Sequence, residues 1–95
     1  MPVYFIAQVD VQDADGYQTY QEAAVKAPMH GAKLLAMDGE PVLVEGSWAG
    51  PKTVILEFES EEKFRAWYDS PEYQAAAKLR QQATNSNVVM VHGIE

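Results

Sequence analysis

The chain of 95 residues contains no cysteine, which excludes disulfides and thiolate chemistry and makes a reducing, cytoplasmic setting the expectation. No apolar run approaches the roughly 20 residues that span a bilayer. The first residues lack the basic region and long apolar stretch of a signal peptide. Positive charge is scarce: seven Lys and Arg stand against fourteen Asp and Glu, for a formal net charge of −7. Those few basic residues are scattered, so neither nucleic acid nor an anionic membrane surface is an expected partner. Two histidines far apart, with no HxxxH or HxH spacing, offer no recognisable metal site. GxGxxG, P-loop and GxSxG motifs are missing, which disfavours nucleotide binding and serine hydrolysis. No cofactor is expected, since neither histidine carries a haem-ligand signature.

What is present is an ordinary globular composition, 47% hydrophobic, in a chain long enough for one domain over residues 1–95. Val3 to Val11 reads as a strand, with Val3, Phe5, Ala7, Val9 and Val11 on one face and Tyr4, Ile6, Gln8 and Asp10 on the other. Asp13 or Asp15 can cap the next helix, which carries Tyr17, Tyr20, Ala24 and Ala27 as a core stripe and ends at Pro28. Ala32 to Met37 gives a short strand, Asp38-Gly39 a tight turn and Pro41 to Glu45 a second extended piece. A loop rich in Gly and Pro, residues 46–52, carries Trp48 and leads into a strand over Thr53 to Glu59.

Ser60 then caps a helix whose Phe64, Trp67 and Tyr68 share one face, and Ser70-Pro71 starts another at once. Ala75 to Ala77 with Leu79 gives that second helix a small-residue surface able to sit close to a sheet. Asn85 to Asn87 reads as a turn and Val88 to Ile94 as the last strand, with His92 a core histidine on its apolar face.

The order strand, helix, strand, strand, helix, strand is the split βαβ arrangement of ferredoxin-like α+β domains, with helices on one face of an antiparallel sheet. The other face should then be polar in a lone domain. Here Tyr4, Ile6, Ile55, Val89 and Val91 fall on it. Leaving such side chains in water costs ~1.5–3 kcal/mol each, which rivals the whole stability of a small domain. A homodimer packed face to face is the expected solution.

The same stretches carry a resemblance that runs almost end to end. His30-Gly31-Ala32-Lys33, Glu45-Gly46-Ser47-Trp48, Glu57-Phe58, the run Ala66 to Tyr73 (AWYDSPEY) and Leu79-Arg80 together resemble the domain-of-unknown-function family 1330. These are small bacterial proteins of the dimeric α/β-barrel superfamily. The resemblance implies a ferredoxin-like fold and a homodimer and brings no agreed activity. The wider superfamily includes cofactor-independent monooxygenases, isomerases and haem-degrading enzymes. Lys33 stands where the family usually has Arg, as does a position near Lys52; lysine keeps the charge but lacks the planar fork that grips a carboxylate at two points.

The residues whose chemistry suggests a site are His30 and Glu45 as acid–base candidates, with Lys33, Lys52, Trp48 and Glu57 as contacts to a small aromatic or carboxylated molecule. They would rim a cleft between helix layer and sheet. Each also has an ordinary use: a solvated loop histidine, a carboxylate satisfying turn amides, a tryptophan plugging an interface. The alternative function is therefore an interaction dimer with no small-molecule activity.

Overall fold

The computed structural model describes residues 1–94. Strand β1 (Val3–Val11) buries Val3, Phe5, Ala7 and Val9 in strict alternation, as its period-two pattern requires. Helix α1 (Ala14–Ala24) starts at Asp13, whose backbone is extended and whose carboxylate accepts the Gly16 N–H at 3.2 Å. The helix stops at Ala24, short of the expected Ala27. Lys26 and Ala27 N–H groups bond back only three residues, to Ala23 and Ala24, tightening the last turn before Pro28. His30 (φ 54°) and Gly31 (φ 82°) then turn the chain through the left-handed region into β2 (Lys33–Asp38).

Strand β3 (Lys52–Phe58) leads to α2 (Glu61–Tyr68) and α3 (Pro71–Ala83), and β4 (Thr84–His92) closes the fold. Ser60 Oγ accepts from Lys63 N–H at 3.2 Å. Ser70 Oγ accepts from Tyr73 N–H at 3.1 Å while donating to Trp67 C=O at 2.7 Å, so one hydroxyl ends α2 and begins α3. The sheet order is β2-β3-β1-β4, antiparallel at every step, which is the ferredoxin-like arrangement.

The helices cover one sheet face. Beneath them Trp67 packs 5.3 Å from Phe5, 5.2 Å from Phe58 and 4.1 Å from Tyr73, between ring centres. The other face is uncovered, and strand register defines its rows. Lys33, Glu57, Tyr4 and Val91 form one; Ala36, Ile55, Ile6 and Val89 the next; Asp38, Thr53, Gln8 and Asn87 the third. The middle row has no polar side chain.

Three expectations change. Asn85 to Asn87 is not a turn: it forms the start of β4, paired with Asp10, Val9 and Gln8. Thr84 Oγ1 caps the preceding helix by donating to Arg80 C=O at 2.7 Å, so the chain needs no turn, and pairing along β1 overrides the turn preference of Asn and Ser. Pro41 to Glu45 forms no strand, because β2 is an edge and nothing in the described chain lies beyond it to pair with. His92 is exposed rather than a core residue, 3.3 Å from Glu61.

Candidate functional site

Tyr73, Ala76, Ala77, Arg80 and Ala83 are the buried positions of α3 and recur at helical spacing. Four are core residues of ordinary kind. The fifth puts a guanidinium on the core-facing stripe, and Arg80 is only 4% exposed. Its Nη1 donates to Ser86 Oγ at 2.7 Å, and its Cζ lies 6.0 Å from the centre of the Tyr20 ring. Its Nε is buried with no hydrogen-bond partner, and among the described residues no carboxylate forms an ion pair with it. Arginine keeps its charge at any ordinary pH, so this is a desolvated cation lacking a counterion.

Arg80 lines a cavity of about 340 Å³ between the helix layer and the sheet. Phe5 and Leu56 of the sheet, Leu34 and Met37 of β2, and Tyr17, Tyr20, Trp67 and Tyr73 of the helices form most of its wall. A bulge between Leu34 and Ala36 puts both Leu34 and Met37 on this side of β2. Trp67, another lining residue, has an indole Nε1 that is likewise buried without a partner. Both residues line the cavity, and each carries one buried donor that no described group satisfies.

The tyrosines set the polarity of the remaining wall. Tyr20 and Tyr73 hydroxyls are 2.9 Å apart. Burial first, and the neighbouring Tyr73 second, holds the Tyr20 phenol far above its ordinary pKa. Burial also raises Tyr17, with the Arg80 charge opposing. Both therefore stay protonated near neutrality and serve as donors, not bases. Among the described residues no histidine or carboxylate lines the cavity.

Of the residues singled out in the sequence, Lys52 reaches this region: its Nζ sits 4.7 Å over the ring of Tyr17. Lys33 and Glu57 are cross-strand neighbours on the uncovered face and share a shallow hollow with Gly31 and Glu59. Glu45 and Trp48 share another hollow with Val42, Val44 and Thr53, and Trp48 Nε1 donates to Thr53 Oγ1 at 3.0 Å. His30 is exposed in the turn before β2, and no described hydrogen bond joins it to Glu45. The six residues thus fall into separate groups. Tyr17, Tyr20 and Trp67 read as helix-stripe residues, and Tyr73 and Arg80 entered only through the resemblance; the available signal was an Arg at helical spacing from Tyr73, Ala76 and Ala77.

Several solved structures share this fold. A protein of unknown function from Rhodopseudomonas palustris superposes with a TM-score of 0.80 at 18% identity, covering 99% of this chain and 83% of that one. A protein from Jannaschia sp., described as dimeric, ferredoxin-like and of unknown function, gives 0.73 at 13% identity over 98% and 100% of the two chains. SnoaB of Streptomyces nogalater, described as a cofactor-independent oxygenase, gives 0.60 at 12% identity over 99% and 94%. At these identities the likeness is one of fold. Comparison with curated proteins found no match. The family model for the domain of unknown function DUF1330 matches residues 2–94, and the chain belongs to that family.

Proposed function

We propose that the protein is a cytoplasmic homodimer that binds a small molecule in each helix–sheet cavity, one with a flat apolar body and an acidic oxygen group. The observation that carries this reading is Arg80, buried beside an apolar cavity without a counterion. A carboxylate or phenolate oxygen would supply the missing charge beside the Arg80 guanidinium, while the aromatic wall takes the ring. Lys52 lies next to Tyr17 at the same site and would add a second positive charge. Lys33 and Glu57 stand on the opposite, uncovered face, and with His30, Glu45 and Trp48 they are proposed to meet a second copy rather than the ligand in this cavity.

Binding is favoured over acid–base catalysis because, among the described residues, the cavity wall holds donors and no histidine or carboxylate to take a proton. The oxygenase among the structural neighbours makes oxygen uptake with a bound ligand the activity to assay.

The test is thermal denaturation with 1-naphthoate and with uncharged 1-naphthamide as probes. Naphthoate is expected to raise the midpoint by several degrees, as saturating ligand stabilises a domain of this size by ~2–3 kcal/mol. The amide should shift it far less. Arg80→Met should lose the naphthoate shift while keeping its circular dichroism spectrum, since a methionine of similar length fills the stripe without a buried charge. Equal shifts from acid and amide, or a shift that survives in Arg80→Met, would overturn the reading.

A further inference from the structure

Residues 39–51, between β2 and β3, are firmly held at their base and free at their tip. At the base, Gly50 is buried against β1, where a Cβ would come within 2.9 Å of the Val9 carbonyl carbon. Trp48 is tied to Thr53 of the uncovered sheet face. At the tip, Val42 is 86% exposed and Val44 90%, with Leu43 about half exposed. No backbone–backbone hydrogen bond is made by residues 39–51 among those described. An anchored segment with an apolar tip and free peptide groups is suited to cover something outside its own subunit.

We infer that this segment is an arm that crosses to a second copy of the chain and packs on that copy's uncovered sheet face. The inference rests on the homodimer proposed above and adds which segment makes the contact. Continuity is the first argument: the bond from Trp48 to Thr53 places the arm beside the apolar row Ala36, Ile55, Ile6 and Val89, so arm and face form one surface.

Charge is the second. Each copy carries a net −7, and two such molecules can meet closely only where charge is sparse. The arm carries two charges, Glu40 at its start and Glu45 beyond the apolar run Val42 to Val44, and the middle row of the face carries none. A nucleic acid or an anionic membrane would be repelled by the same balance.

Sedimentation velocity across a concentration series tests this with the wild type and the double variant Val42→Asp, Val44→Asp. These side chains touch little in the isolated subunit, so the variant should keep its circular dichroism spectrum. The arm reading expects a dimeric wild type and a variant whose dissociation constant rises by at least about tenfold. A monomeric wild type would overturn the dimer and the arm together. A dimeric wild type matched by an equally tight variant would overturn the arm alone.

The absence of native cysteine permits a second readout that does not depend on the variant's stability. Val44→Cys protein is mixed with protein carrying a single cysteine at Ile6, Val89 or Val91 in turn, then oxidised. At least one mixture should give more covalent dimer than either component by itself. None doing so would contradict the arm.

Discussion

A guanidinium inside a small domain is retained against its own hydration energy, and nothing in the described fold repays that except one serine hydroxyl and the face of Tyr20. The tyrosines around it are in the opposite state, neutral groups held neutral. Tyr20 gives a measurable consequence. Its phenol is raised above the ordinary 10.0, so the folded state keeps a proton that the unfolded chain surrenders. Stability from this group is full below pH 10 and falls as pH rises beyond it, by about 1.4 kcal/mol per pH unit while only the unfolded form titrates. Urea midpoints measured between pH 8 and 11 should show that decline. Tyr20→Phe should flatten it, at the expense of ~1 kcal/mol at neutral pH for the lost bond to Tyr73. A decline unchanged in Tyr20→Phe would mean that other groups, Tyr17 foremost, carry the alkaline loss.

Among the elements, the best-read were those whose local chemistry and burial agree. Strand β1 has the bounds its alternation predicts, and Asp13, Ser60 and Ser70 cap as their side chains allow. Ser70 joins two elements, so Ser70→Ala removes both its acceptor bond to Tyr73 and its donor bond to Trp67. A loss of ~1–2 kcal/mol is expected, seen as a midpoint lowered by roughly 4–8 °C per kcal/mol. No change would show that Pro71 alone is enough to restart the helix.

Misread elements are those where long-range pairing decides. Asn85 to Asn87 look like a turn until nine-residue β1 is there to bond with them. Pro41 to Glu45 look like a strand but have no described partner strand. The candidate site was hidden for a related reason. Polar residues in loops attract notice, and Arg80, in the last turn of α3, gains meaning only once the sheet and α1 close over it.

At the scale of the whole molecule, the sheet has two apolar sides with different fates. The helices fill one and leave a cavity there. The other, with its middle row of Ala36, Ile55, Ile6 and Val89 beside an apolar arm, has no cover within the described chain. The bulged edge strand β2 contributes to both, presenting Leu34 and Met37 to the cavity and Ala36 to the uncovered face. Ligand and second subunit would therefore act on the same strand from opposite sides, and dimer formation would steady one wall of the binding site. A crystal structure of the protein grown with 1-naphthoate tests the account most directly. It should show the carboxylate within hydrogen-bond distance of the Arg80 guanidinium, with the ring among Phe5, Tyr17 and Leu56. A vacant cavity beside a naphthoate bound elsewhere, or Arg80 turned away to a protein carboxylate, would contradict it.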